Sequence, residues 1–157
     1  MHMTWELRRA GRRDYALLGR LMHSAIHAVP SPYTHAQRRA WSPQPRYGAA
    51  WNKRLRAQHV CLAERDKAPL GFMSLEPPGY VDFAYILPEA RGTGLFRALH
   101  DEIEAEARDR QYRRLYTHAS LRAAPAFKAL GYRLLKAETV HIKSQRLKRF
   151  AMEKHLS

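Results

Sequence analysis

A strand, a turn with two glycines and a helix follow one another between residues 80 and 110, and this unit constrains the fold most. The apolar, β-branched and aromatic run over residues 80–87 is typical of a strand. Pro88 ends it, because proline cannot donate to a sheet ladder. Apolar residues then recur at the spacing of a helix, at Leu95, Leu99 and Ile103.

The turn in this unit has the composition of an anion site. Gly92 and Gly94 let the backbone curl so that successive N–H groups converge, and the helix start adds free N–H groups and a positive dipole end. We expect a phosphate there. Leu95 and Phe96 stand where a Walker A loop needs Lys and Ser or Thr, and Arg97 stands where a dinucleotide fingerprint needs glycine. A turn that binds no ligand is the alternative.

Length and composition predict one soluble, cytoplasmic domain over residues 1–157. The chain is 45% hydrophobic, enough for a sizeable core. It has no run of eighteen apolar residues, so we expect no membrane span, and its start lacks the apolar segment of a signal peptide. The single cysteine, Cys61, excludes an intrachain disulfide and lies in an apolar run that predicts a buried structural thiol.

The charge is strongly positive, with 28 Lys and Arg residues against 14 Asp and Glu and a formal net charge of +14. This balance attracts nucleic acid, an anionic cofactor or an acidic partner. The basic residues are scattered, and no helix-turn-helix, zinc-finger or RNA-recognition signature accompanies them. We therefore expect a basic solvated surface and no nucleic-acid partner.

The order of elements predicts a mixed sheet of the α/β (α+β) class. We predict strands at residues 5–10, 59–64, 70–75, 80–87, 115–119, 132–143 and 146–155, and helices after Asp14 and at residues 35–41, 47–56, 94–110 and 123–130. Short turns between the second, third and fourth strands imply antiparallel neighbours. The helical crossover at residues 94–110 implies that the fourth and fifth strands pair in parallel.

The turn and the element order resemble the GNAT superfamily of acyl-CoA-dependent N-acetyltransferases. That family's pyrophosphate loop reads Gln/Arg-x-x-Gly-x-Gly/Ala and opens a long helix. Arg91 and Gly94 match it, and Phe96 stands where the family has a small residue. A second family pattern, Asn-x-x-Ala-x-x-x-Tyr-x-x-x-Gly-Phe, has its counterpart in Ser120, Ala123, Phe127, Gly131 and Tyr132. Residues 33–41 and 119–127 also resemble the YafP-like branch of acetyltransferases.

The resemblance implies the GNAT fold, a mixed sheet of about seven strands with about four helices, splayed between the fourth and fifth strands. It implies acetyl transfer from acetyl-CoA to a primary amine of a small molecule or peptide, by direct attack in a ternary complex. We expect a monomer or a homodimer. The residues that the resemblance assigns to the cofactor are Tyr85, Ile86, Leu87, Arg91, Gly92, Thr93, Gly94, Leu95, Phe96, Ser120 and Phe127.

The catalytic candidates are Asp82 and His118. Asp82 is the one carboxylate between Pro77 and Pro88, on the strand where the family often places a base, and partial burial would raise its pKa. An Asp tied to a neighbouring Arg is the alternative. Because Phe127 occupies the place of the family's acid Tyr, another group would supply that proton, and His118 could act as acid or base. A histidine packed in the cleft is the alternative.

The acceptor pocket is predicted from aromatic residues. Tyr33 and Trp41 lie on a proline-braced segment, where they line a substrate pocket or serve as ordinary packing, and Tyr80 shares a strand face with Asp82.

His23 and His27 lie four residues apart, but no third ligand accompanies them, so we expect no metal. A catalytically weak module that binds acyl-CoA or a basic partner-binding domain is the alternative function, favoured by Phe127 and Phe96.

Overall fold

The computed structural model of the protein describes residues 4–157; residues 1–3, which the single-domain prediction includes, lie outside the described part. The described residues form seven strands and five α-helices. The strands are β1 (Glu6–Arg9), β2 (His59–Arg65), β3 (Ala68–Glu76), β4 (Tyr80–Ile86), β5 (Arg114–Ser120), β6 (Arg133–Ile142) and β7 (Gln145–His155). The helices are α1 (Tyr15–His27), α2 (His35–Trp41), α3 (Ala49–Arg56), α4 (Leu95–Asp109) and α5 (Ala124–Ala129). Within residues 4–157 no helix has the length and apolar character needed to cross a membrane.

The strands form one mixed sheet in the order β1-β2-β3-β4-β5-β7-β6. Only the β4–β5 pair is parallel, as predicted for a strand–helix–strand crossover through α4. The other pairs are antiparallel. The predicted seven-stranded mixed sheet is therefore confirmed.

The sheet opens along the β4–β5 pair. The two strands are in register at Tyr80 and Tyr116 and at Val81 and Thr117, and they pair no further. The Thr117 hydroxyl donates to the Val81 carbonyl oxygen at 2.8 Å, which secures the last paired position. Beyond it the strands diverge, so the predicted splay between the fourth and fifth strands is confirmed.

Apolar side chains fill both faces of the sheet. Helix α4 contributes Leu95, Leu99 and Ile103, all fully buried, to the cluster on one face. Helix α1 packs on the other face, where Leu18 joins Phe72 in a second cluster. This arrangement holds β4 between two packed layers and fixes the position of the turn that follows it.

Candidate active site

The turn after β4 adopts the anion-binding conformation that its glycines predict. Gly92 and Gly94 have φ of +74° and +90°, which L side chains rarely adopt, and a Cβ at either position would have no atom within 4 Å. Gly94 is the N-cap of α4, with no side-chain cap. Among residues 4–157, the amides of Gly92, Thr93 and Gly94 donate to no backbone carbonyl. Their N–H groups are therefore free for a ligand at the positive end of α4.

A cavity of about 250 Å³ opens beside this turn, in the splay between β4 and β5. Many of the residues predicted to hold the cofactor line it, namely Tyr85, Ile86, Arg91, Gly92, Phe96 and Ser120. The sequence pattern thus located one wall of a real cavity. The opposite wall comes from α1 and the segment after it, through Ala25, Ile26 and Ser31, which the sequence did not single out.

The backbone of β4 presents free groups to the splay at Ile86 and not at Leu87. The Leu87 N–H donates to the Leu70 carbonyl oxygen at 2.8 Å, and the Leu87 carbonyl oxygen accepts from the Ala90 N–H at 3.0 Å. Both polar groups of Leu87 are therefore used within the protein. Because backbone groups alternate in direction along a strand, those of Ile86 face away from β3 and into the splay.

Two arginines give the cavity its positive charge. Arg91 Nη2 is buried without a hydrogen-bond partner among residues 4–157, and burial lowers the pKa of this guanidinium. Arg122 donates through Nη2 to the carbonyl oxygens of Ala28 and Pro30. Its pKa is also lowered, first by burial and then by the charges of Arg91 and Arg38. Like-charged groups held together without a carboxylate form a site for an anion. Sequence reasoning did not single out Arg122, although it lies two residues after Ser120.

Two residues predicted to hold the cofactor have side chains in the core. Leu95 is fully buried, so only its backbone faces the turn. Phe127 is 1% exposed, and its ring packs edge-on against Phe96 at 5.2 Å and against Tyr132 at 4.9 Å between centroids. Phe96 therefore lies between Phe127 and the cavity. The spacing of residues on α5 placed Phe127 in the family pattern, but it did not indicate which way the ring points.

A second cavity, of about 190 Å³, adjoins the first and shares part of its lining. It is lined by Asp82, His118 and Tyr80, the two catalytic candidates and one predicted pocket residue. Residues that line both cavities are Tyr33, Trp41, Tyr85 and Ser120. The structure therefore brings the predicted acceptor site and the predicted cofactor site together along an aromatic boundary.

The aromatic boundary is built from α2 and β4. Trp41 packs edge-on against Tyr33 at 5.6 Å and lies 6.3 Å from Tyr85. The Tyr33 hydroxyl donates to the Lys148 carbonyl oxygen at 2.5 Å and accepts from the Leu121 N–H at 2.9 Å. Tyr33 thus ties the α2 segment to β5 and β7 as well as lining the cavities.

Asp82 lies in an ion pair at the edge of the second cavity. Its side chain is 6% exposed. Arg54 donates to both carboxylate oxygens, at 2.8 Å and 3.0 Å, and Gln58 Nε2 donates to Oδ2 at 2.7 Å. This is the geometry that the sequence left open as the alternative to a general base. Arg54 and Gln58 are 28 and 24 residues away along the chain, so no local pattern indicated them.

His118 is held between a phenol and a carboxylate. Its Nδ1 lies 2.8 Å from Tyr80 Oη, and its Nε2 lies 3.6 Å from Glu138 Oε1. Burial lowers the pKa of His118, the Arg149 charge lowers it further, and Glu138 opposes both. Burial raises the pKa of Tyr80 to about 12. A neutral imidazole beside a protonated phenol is a pair that can move a proton, and sequence reasoning missed Glu138, its third member.

Other reactive groups lie apart from these cavities. Cys61 is buried, and desolvation raises the pKa of its thiol to about 12, which makes it a poor nucleophile. His23 Nδ1 bonds the Ser42 hydroxyl at 2.8 Å, and His27 Nε2 bonds the Ser42 carbonyl oxygen at 2.7 Å. Across the described part of the chain, no three His, Cys, Asp or Glu residues are grouped so that they would hold a metal ion.

Comparison with known proteins identifies relatives over nearly the whole chain. A family model described as the GNAT acetyltransferase domain matches residues 29–156. One solved structure is a GCN5-related N-acetyltransferase from Rhodopseudomonas palustris, also described as a class-II aminotransferase. It is 28% identical to this chain with a TM-score of 0.88, and the match covers 99% of this chain and 98% of that one. No curated protein sequence matches the chain significantly.

Two further solved structures share the fold at lower identity. The PaiA N-acetyltransferase from Thermoplasma acidophilum, in complex with coenzyme A, is 16% identical with a TM-score of 0.73, and the match covers 98% of this chain and 99% of that one. The phosphinothricin acetyltransferase from Sinorhizobium meliloti, in complex with acetyl-CoA, is 19% identical with a TM-score of 0.75, and the match covers 99% and 90%.

Proposed function

Because the chain belongs to the GNAT acetyltransferase family, we propose that it transfers an acetyl group from acetyl-CoA to a primary amine by direct attack in a ternary complex. The observation that carries the proposal is the meeting of two cavities at the splay, one beside the glycine turn with its free amides and one lined by His118 and Tyr80. A donor and an acceptor held in these cavities would approach each other across the aromatic boundary. Direct attack needs no thiol intermediate, and Cys61, the one cysteine of the chain, lines neither cavity.

The first cavity fits the donor. The free amides of Gly92, Thr93 and Gly94 and the guanidinium of Arg91 would bind the pyrophosphate, and Arg122 would add a second positive charge. The backbone of Ile86 would hold the arm that carries the thioester. Acetyl-CoA supplies the activated acetyl group. Helix α4 and the arginines then orient the donor, and the fully buried Leu95 anchors the turn to the core.

The second cavity fits the proton transfers that the reaction needs. An amine arrives as an ammonium ion and becomes nucleophilic only after losing a proton. Tyr80 Oη would accept that proton while passing its own to His118 Nδ1, so that the charge comes to rest on the imidazolium. Glu138 faces the other ring nitrogen and would stabilise this cation. With its pKa near 12, Tyr80 remains a phenol at neutral pH and would serve as the proton donor to the leaving sulfur.

Asp82 remains the second candidate for the base, but its geometry favours a supporting role. Both of its oxygens already accept hydrogen bonds from Arg54, and one also accepts from Gln58. Taking up a proton would weaken all three interactions. We therefore assign Asp82 to holding Arg54 in place, with Arg54 lying 4.5 Å from the Phe83 ring centroid.

A catalytically weak acyl-CoA-binding module is the second candidate function. The observation that favours it is the buried phenyl ring of Phe127, which places no hydroxyl at the position of the family's acid. The two functions share the first cavity and differ in the second. Only an enzyme needs the His118–Tyr80 pair.

The test combines binding with turnover. Calorimetry would measure CoA affinity, and thiol release from acetyl-CoA would be followed with a panel of primary amines against a no-amine background. The enzyme predicts CoA binding together with amine-dependent release that falls in His118→Gln. CoA binding without amine-dependent release would favour the module, and absence of CoA binding would end both proposals.

A further inference from the structure

The acceptor cavity is lined by more positive than negative charge. Four cationic side chains and one carboxylate line it, namely Arg46, Arg54, Lys148, Arg149 and Asp82. A primary amine is itself positive until it loses a proton, so this lining repels simple amines, polyamines and lysine side chains. An acceptor that also carries a negative group would instead be attracted.

Two of these cations are already neutralised within the protein. Arg54 is paired with Asp82 at 2.8 Å, and Arg149 is paired with Glu138 at 2.9 Å. Among residues 4–157, neither Arg46 nor Lys148 has a carboxylate within salt-bridge distance. The free positive charge of the cavity is therefore carried by these two side chains.

Arg46 is held more firmly than an ordinary surface arginine. Its backbone packs directly on α1 at Gly19, where a Cβ would lie 1.9 Å from the Arg46 carbonyl oxygen. Its guanidinium carbon lies 5.8 Å from the Trp51 ring centroid, and Trp51 is 4% exposed. A guanidinium on a firmly packed backbone that has no ion-pair partner among residues 4–157 is available for a planar anion such as a carboxylate.

The cavity also has apolar residues in its lining. Met22, Phe83, Val140 and Ile142 line it together with the aromatic boundary residues. An acceptor with an apolar body would bury that body here, with its amine near Tyr80 and His118. Since this inference rests on the proposed acetyl transfer, it concerns the second cavity of that same site.

We propose that the acceptor is a free amino acid with an apolar or aromatic side chain, and that Arg46 binds its carboxylate. The carboxylate offsets the positive lining, and the apolar lining receives the side chain. The amine of the bound amino acid then faces His118 and Tyr80.

The experiment compares acceptors that differ only by the carboxylate. The matched pairs are phenylalanine with phenethylamine, leucine with isopentylamine, and methionine with 3-(methylthio)propylamine, each measured for kcat and KM at saturating acetyl-CoA. We expect at least one amino acid to exceed its amine about tenfold or more in kcat/KM. In Arg46→Gln, the KM of that amino acid should rise about tenfold with little change in kcat, while the KM of the amine, which the lost charge no longer repels, should not rise.

Two further variants serve as controls. Arg56→Gln removes an exposed arginine of α3 that lines neither cavity and should leave the carboxylate preference unchanged. Arg46→Lys keeps the charge without the planar fork and should restore part of the preference. Equal kcat/KM values for acid and amine in all three pairs would overturn the inference while leaving acetyl transfer intact.

A binding measurement separates this inference from the proposed function. If no compound of the panel is acetylated, calorimetry with each acid and amine would be run on the CoA-loaded protein. Binding of an acid that Arg46→Gln abolishes and Arg56→Gln retains would support the carboxylate site without catalysis. No detectable binding of any acid would overturn it.

Discussion

Tyr80 Oη lies 2.8 Å from His118 Nδ1, although 38 residues separate the two in the chain. Tyr80 begins β4 and pairs with Tyr116, and His118 lies two residues further along β5 on the same face. The contact therefore forms where the parallel strands start to part. The divergence that opens the first cavity thus begins next to this contact, which lies in the adjoining second cavity.

His118→Gln should lower turnover roughly a hundredfold, because loss of a positioned base or acid typically removes a factor of that order. CoA affinity should stay near that of the wild type, since His118 lines only the second cavity. Stopped assays of amine-dependent thiol release would measure the effect. His35→Gln, which removes an exposed histidine of α2, is the matched control. Unchanged turnover in His118→Gln would transfer the role to another group.

The acid limb of the pH–rate profile should lie below the ordinary pKa of histidine. The reaction needs neutral His118, so kcat/KM should rise with pH through its pKa, which burial and Arg149 lower. The charge of Glu138 acts in the opposite direction and raises this pKa. Glu138→Gln should therefore move the limb to lower pH and reduce the maximum rate, because the imidazolium loses its counter-charge. A limb that moves to higher pH, or stays in place, would contradict this assignment.

Asp82→Asn should lower stability more clearly than it lowers turnover. The substitution removes the charge opposite Arg54, which is 45% exposed and can be rehydrated, so we expect a loss of about 1–2 kcal/mol in the free energy of unfolding. For a domain of this size that corresponds to roughly 3–6 °C in melting temperature. A double-mutant cycle with Arg54→Gln would measure the coupling. A hundredfold loss of turnover with unchanged melting would return the base role to Asp82.

Gly94→Glu should abolish CoA binding. The side chain would be strained at a φ of +90° and would add a negative charge where the pyrophosphate is expected. Gly48→Glu is a close control, because Gly48 has a φ of +96°, also has open space around its Cβ position, and does not line the first cavity. Calorimetry should show normal affinity in Gly48→Glu and none in Gly94→Glu. Equal affinities would place the phosphate elsewhere.

Phe127→Tyr should destabilise the protein without raising turnover. From the sequence alone, a hydroxyl at this position would be harmless if the ring faced the cleft and harmful if it faced the core. The ring is 1% exposed and enclosed by Phe96, Tyr132 and His100, so a new hydroxyl would be buried among aromatic rings. We expect about 1–3 kcal/mol of destabilisation, seen in melting curves. A folded variant with faster thiol release would show that the ring edge reaches the donor.

The sequence predicted the fold well because its signals there are local. The glycine turn, the spacing of Leu95, Leu99 and Ile103, and the proline-bounded strand each depend on neighbours within a few residues. Helix α2 has the predicted bounds of residues 35–41, and β6 and β7 form the predicted closing pair. The crossover rule then predicted that β4 and β5 pair in parallel, and the family pattern predicted the splay between them.

The site was predicted less completely because its contacts join distant parts of the chain. The Arg54–Asp82 pair spans 28 residues, and the Glu138–His118 contact joins β6 to β5 across β7. Nothing in the spacing of α5 indicates whether Phe127 faces the cleft or the core. The position of Arg46 depends on the close packing of its backbone against Gly19 of α1. Such relations depend on packing, which no periodic pattern encodes.

The short pairing of β4 with β5 also determines how the molecule bears a mechanical load. The sheet consists of a four-stranded leaf and a three-stranded leaf, joined by two paired positions and the hydrogen bond from Thr117 to Val81. Tyr33 binds the three-stranded leaf through Leu121 and Lys148, and it contacts the other leaf only through Trp41, which packs near Tyr85 of β4. With the Tyr80–His118 contact, few hydrogen bonds therefore oppose separation of the two leaves, whereas continuous ladders hold the strands within each leaf.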